Sequence, residues 1–232
     1  GGDMTRTPGP LAISVTAFGA LAGARSPARA EAAVGQDLWV SGAIGDSALG
    51  LRVRLGQAPG LAPEDAAFLV ERYRRPLPRL GLAPLLAAHA GASMDVSDGL
   101  IADARKIAEA SGVAVVVDPA LVPLSAQARR ALAMGAAALP ALLTGGDDYE
   151  VLFSADPAAR PILERAAQET GAPLTLMVAV RGAPNSPGAL RVSNTLSTVT
   201  FFCSGLYSTV WPGVKLRLLA VGRAAPEGWT VR

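Results

Sequence analysis

Three short acidic stretches carry the residues with most chemical potential in this 232-residue chain: GGD at residues 1–3, DVSDG at 95–99 and GGDDYE at 145–150. Each adjoins an apolar or amphipathic run, so each is expected at the end of a strand or helix. In a mixed α/β fold, strand ends are where loops converge on a ligand crevice. Carboxylates gathered in such a crevice repel one another unless a cation neutralises them. Hard oxygen ligands of this kind suit Mg²⁺, which commonly bridges one or two carboxylates to substrate phosphates. Plainer readings stand beside this one. Asp98 or Ser97 is placed to cap a helix beginning at Gly99, and Gly-Gly-Asp is an ordinary turn.

The elements that must position these residues follow from periodicity. DLWVSG at 37–42 reads as a buried strand ending in a glycine turn, with Asp46 as the cap of the next helix. PEDAAFLVERYRR at 63–75 has Pro63 in its first turn, acids early and arginines late, the charge order a helix favours, and Pro76 ends it. A third helix is expected over about 79–90, leading into the strand ASMDV. In GLIADARKIAEASG, Leu100, Ile101, Ala104, Ile107 and Ala108 form one apolar stripe, and Gly112 closes the helix. VAVVVD at 113–118 reads as a buried strand, two alanine-rich helices follow, and GGDDYEVLF enters another strand ahead of an amphipathic helix at 157–170. Strands alternate with helices, which gives a mixed α/β (α+β) fold, a sheet covered by helices. His89 falls late in a helix and is assigned no role.

Composition narrows the function classes. Half of the residues are hydrophobic, enough for a real core. The net charge is only +2 and the arginines are scattered, which argues against nucleic-acid binding. A lone Cys203 fits a reducing, cytoplasmic setting, and one Cys with one His leaves no zinc site. Leu11, Ile13, Val15 and Ala17 alternate as a strand does, against a secretory leader in 11–24. The uncharged run that follows Val192 is too rich in Ser and Thr for a membrane helix. No G-x-x-x-x-G-K-[ST] or G-x-G-x-x-G occurs, so P-loop and dinucleotide folds are excluded.

The three clusters, in this order, resemble the thiamine-monophosphate kinase family of the aminoimidazole-ribonucleotide-synthetase-like superfamily. The similar segments include GGDMTRTPGPLAISVTAFG, DLWVSGAIGDSALGL, RYRRPLPRL, MDVSDGLIADARKIAEASGVAVVVD, PLS and LLTGGDDYEVLF, over about residues 1–175. The resemblance implies the carboxy-terminal domain of that fold and ATP-dependent phosphorylation of thiamine monophosphate to thiamine diphosphate, with Mg²⁺. By residue match it implies ATP contacts at Gly2, Asp3, Arg29 and Ser97, Mg²⁺ ligands at Asp3, Asp95 and Asp98, and a thiamine-substrate contact at Asp147, where the family usually has Glu. It implies a homodimer for the intact enzyme. No covalent enzyme intermediate is required, because phosphoryl transfer rests on alignment and charge neutralisation.

Two departures from the pattern shape the expectations. The family's amino-terminal part has no counterpart before residues 1–30, which resemble the last stretch of an ATP-binding domain, with a carboxy-terminal domain over 31–232. The polypeptide alone is therefore expected to have little or no kinase activity. Residues 176–214 are atypical, nearly uncharged and aromatic-rich towards Trp211. The alternatives are an inactive Mg-nucleotide-binding remnant, or another ATP-using member of the superfamily.

Overall fold

A period of two sorts the side chains of the central strand, β1 (Asp37–Ser41), onto two covered faces. Leu38 and Val40 enter one buried cluster and Trp39 enters another, as the pleat requires. The computed structural model describes residues 16, 25–181, 190–194 and 197–201. The strand expected over 11–17 and the motif GGD at 1–3 lie outside the described backbone elements.

After β1 come α1 (Asp46–Arg54), α2 (Pro63–Arg74), a 3₁₀ turn at Leu80–Leu82, α3 (Ala83–His89) and β2 (Ala90–Val96). Next are α4 (Leu100–Ser111), β3 (Ala114–Val117), α5 (Ala126–Ala133), α6 (Leu139–Thr144), β4 (Glu150–Ala155) and α7 (Arg160–Thr170). β5 (Leu174–Arg181), β6 (Leu190–Asn194) and β7 (Ser197–Phe201) complete the described strands. The sheet order is β2-β4-β1-β5-β3-β6-β7. All neighbours run antiparallel except β3 and β6. Part of the atypical stretch 176–214 thus extends the sheet through β5, β6 and β7.

Helices cover both faces. α4 lays the fully buried Leu100, Ala104 and Ile107 against Leu38, Val40, Leu152 and Val115. Burying a Leu or Ile side chain is worth roughly 1.5–3 kcal/mol, so this stripe is a main hold on the sheet. On the other face, Leu163 of α7 and Leu85 and Leu86 of α3 pack on Trp39 and Phe153. Beyond the sheet, α1, α2, α5 and α6 build a satellite cluster around Leu49, Leu69, Ala128, Ala131 and Leu142.

Register aligns four strand ends. Val96 lies opposite Glu150, Val40 opposite Leu152, and Ser41 opposite Leu174. The end of β2, the start of β4, the end of β1 and the start of β5 therefore share one edge of the layer. The acidic loops emerge there. Among the described residues, no helix is long and apolar enough to cross a membrane.

Candidate functional site

At this end of the sheet the loop 97–99 meets the loop 144–149 backbone to backbone. Asp147 N donates to Ser97 O at 2.9 Å, and Tyr149 N donates to Val96 O at 2.8 Å. Two glycines permit the approach. A Cβ on Gly146 would lie 2.3 Å from Ser97 O, and one on Gly99 would lie 2.6 Å from Thr144 O. Gly99 also has φ of +101°, a conformation that side chains disfavour. Motifs nearly fifty residues apart in sequence thus form one structural unit.

Capping differs from the sequence expectation. α4 has Gly99 at its N-cap and no side-chain cap from Ser97 or Asp98. Asp103, fully buried in the first turn, instead reaches back and accepts from Ser97 N and Asp98 N, each at 2.9 Å. Lys106 binds Asp103 at 2.7 Å and also pairs with Asp98. Asp98 is therefore released from capping, and its side chain is 65% exposed. Asp95, on β2, is exposed as well.

Asp46 is likewise not a cap. It is buried in the first turn of α1, where Ser125 Oγ donates to it at 2.6 Å, and burial raises its pKa above the ordinary carboxylate range. The open N-terminus of α1 is served by Asp148, which accepts from Gly45 N at 2.7 Å and Ser47 N at 3.1 Å. A carboxylate at a helix N-terminus is favoured by the dipole. Burial nevertheless dominates and pushes Asp148 up to about 7.

That value carries a stability consequence. Between its ordinary 3.8 and about 7, the native state keeps a proton that the unfolded chain releases. The Asp148 contribution is therefore present at low pH and is lost as pH rises through 7, with a slope of up to roughly 1.4 kcal/mol per pH unit. Chemical denaturation from pH 4 to 8 should show the wild type losing stability relative to Asp148→Asn. Parallel pH curves would contradict the assignment.

Residues 147–150 alternate in direction. Asp148 and Glu150 are buried, while Tyr149 is 45% exposed and Asp147 partly exposed. Asp147 and Tyr149 both take positive φ, 67° and 51°, a costly state for residues with side chains. Tyr149 OH donates to Asp147 at 3.4 Å. The Tyr149 pKa is raised, first by the charge of Asp147, with Asp95 and Asp98 contributing. Three of the sequence-derived site residues, Asp95, Asp98 and Asp147, therefore share one electrostatic neighbourhood, and Ser97 lies within the loop between them.

The other site residues are placed differently. Gly2 and Asp3 lie outside the described residues. Arg29 is not brought to the cluster, since its carbonyl accepts from Ser111 Oγ at the far end of α4, and a helix of 12 residues is about 18 Å long. Among the described residues, no group of three or more His, Cys, Asp or Glu side chains converges as a metal cage.

Sequence reasoning missed the buried ion network behind the loop. Glu150, fully buried, accepts from Arg79 Nε at 2.7 Å and Arg79 Nη2 at 2.6 Å. Arg72 Nη2 and Ser41 Oγ complete its shell at 2.8 and 2.6 Å. The arginines stood in plain view in RYRRPLPRL, but no local period links them to a glutamate more than 70 residues later.

Known proteins share this arrangement of segments. The thiamine-monophosphate kinase of Caulobacter vibrioides is 42% identical over 160 residues, covering 68% of this chain and 44% of the relative. This chain is a homologue of the thiamine-monophosphate kinases. The crystal structure of the thiamine-monophosphate kinase from Stenotrophomonas maltophilia K279a matches with a TM-score of 0.63 at 36% identity, over 73% of this chain and 52% of that one. A structure of AaThiL complexed with AMPPCP and TMP matches with a TM-score of 0.60 at 29% identity, over 72% of this chain and 50% of that one. No family model matches. The chain spans about half the length of the thiamine-monophosphate kinases it matches.

Proposed function

We propose that this chain supplies the carboxy-terminal half of an ATP-dependent kinase that phosphorylates thiamine monophosphate to thiamine diphosphate. The observation that carries the reading is the joining of 95–98 to 145–150 at one sheet end, in a chain whose relatives are thiamine-monophosphate kinases. The AMPPCP in AaThiL supports ATP as the donor.

Asp95 and Asp98 fit Mg²⁺ by chemistry. They are exposed, hard carboxylate donors, and two of them suffice for an ion that takes its remaining ligands from water and phosphates. When bound, Mg²⁺ supplies the positive charge that offsets the transferring phosphoryl oxygens. Lys106, paired with Asp98 and Asp103, balances the local negative charge and fixes the orientation of the loop. Ser97 offers a hydroxyl to the nucleotide, and Asp147 faces the acceptor substrate, held outward by the burial of its neighbour Asp148. Gly2 and Asp3 are assigned ATP contacts, and Asp3 a share in the metal, on the family match; the same match names Arg29, whose backbone lies at the far end of α4 from this cluster.

Calorimetric titration of Mg·ATP into the wild type and Asp95→Asn, paired with mass detection of thiamine diphosphate, tests the proposal. The variant should bind Mg·ATP at least about tenfold more weakly, a loss near 1.4 kcal/mol. Nucleotide binding with little or no thiamine diphosphate formation is the result expected of this half by itself, and no binding of Mg·ATP by the wild type would count against the reading. Equal binding by both proteins would remove the role given to Asp95.

A further inference from the structure

The segments 42–46, 72–79 and 123–125 support the acidic loop only from behind, through Asp148 and Glu150, and they surround a cleft of their own of about 470 Å³. That volume falls within the roughly 300–1,000 Å³ usual for small-molecule sites. Its polar lining includes Arg72, Arg79, Arg129, Asp46 and Ser125, and Phe68 contributes an apolar wall. Glu150 neutralises part of the charge of Arg72 and Arg79 from below. Three guanidinium groups against two carboxylates leave a positive surplus, which selects for an anion.

A second observation points the same way. Arg72 is only 8% exposed, and among the described residues its Nη1 has no hydrogen-bond partner. Buried guanidinium donors left unpaired are costly, so such an atom beside a cleft marks a place where an acceptor belongs. Arginine presents a planar fork matched to phosphate and carboxylate oxygens. At the rim, the exposed Arg129 is steered by donation from its Nε to Leu124 O at 3.0 Å.

We propose that this cleft is a second ligand site, binding the phosphate or carboxylate group of a small organic anion through Arg72 and Arg129, with its apolar body against Phe68. The site is independent of the kinase reading. It shares Glu150 with the segment that presents Asp147, so the ligand settles on a network that also anchors the acidic loop.

The test uses the whole chain, titrated with inorganic phosphate and separately with acetate at constant ionic strength. The readouts are backbone amide shifts and the thermal midpoint, since a ligand of the native state raises the latter. The expected result is a saturable response to at least one anion, centred on residues 42–46 and 123–125. Its affinity should fall at least tenfold in Arg129→Met and Arg72→Lys and stay unchanged in Asp95→Asn. Arg129 is exposed and outside the buried network, so Arg129→Met decides the matter even if Arg72→Lys unfolds. Preference for phosphate identifies a phosphate ester, and preference for acetate identifies a carboxylate. No saturable response to either anion, or an affinity unaltered in Arg129→Met, would overturn the proposal.

Discussion

Replacing Glu150 with alanine should lower the unfolding free energy by about 3–5 kcal/mol, the range for removing one partner of a buried ion pair. The carboxylate is fully buried and holds two guanidinium groups and the Ser41 hydroxyl. Without it, Arg72 and Arg79 become uncompensated charges whose side chains are only 10% and 14% exposed. Glu150→Gln keeps the volume and two acceptor positions at most, so its loss should be intermediate. Both variants should also loosen the start of β4, because Val151 N bonds the same Ser41 hydroxyl at 2.8 Å. Urea unfolding provides the measurement. A loss below about 1 kcal/mol would place this network with weak surface pairs instead.

Gly146→Ala should separate the two acidic motifs. The new methyl would sit 2.3 Å from Ser97 O, closer than any real Cβ contact, and the atom it meets is backbone with no rotamer to yield. Relief requires the loop 144–149 to lift from the loop 97–99, breaking the Asp147 N to Ser97 O bond. Overpacking of this kind costs about 1–3 kcal/mol. Its larger consequence is geometric, because Asp147 would no longer be fixed beside Asp95 and Asp98. Mg·ATP affinity at the proposed site should fall more in Gly146→Ala than in Gly112→Ala, since Gly112 is at the other end of α4 and a Cβ there meets nothing within 4 Å. Equal losses in the two variants would mean that the loop contact does not organise the site.

Much of the frame could be read from periodicity. The apolar stripe and the closing Gly112, with φ of 65°, located α4 within a residue, and Pro63 marked the first turn of α2. The strand DLWVS appeared as expected because its alternation is set by two buried faces. Boundaries slipped where a 3₁₀ turn precedes a helix, as at Leu80–Leu82 before α3 and Pro157–Ala159 before α7. Such turns keep the helical sequence pattern while following different hydrogen bonds.

The caps were misread for a physical reason. Sequence rules assign the nearest polar side chain to an open helix start, which named Asp46, Ser97 and Asp98. In the fold, Gly45 and Gly99 take the N-cap positions with positive φ, and the acceptors are Asp148, from another segment, and Asp103, from within the helix. Freed of that duty, Asp98 stands exposed and pairs with Lys106. The pairing of Arg72 and Arg79 with Glu150 was equally invisible, because tertiary folding alone brings such distant charges together. Arg29 was named by family match, and its place near Ser111 sets it apart from the acidic loops.

In the proposed site residues 95–98 hold one metal–nucleotide complex, and Asp147 stands next to it facing the acceptor substrate. The most direct measurement replaces Mg²⁺ with paramagnetic Mn²⁺ and follows amide signals of the labelled chain with ATP present. Selective broadening of the signals of Asp95, Ser97, Asp98 and Asp147 is expected, abolished by excess Mg²⁺ and strongly reduced in Asp95→Asn. Broadening confined to other surfaces, or none at these four residues under saturating Mn·ATP, would contradict that arrangement.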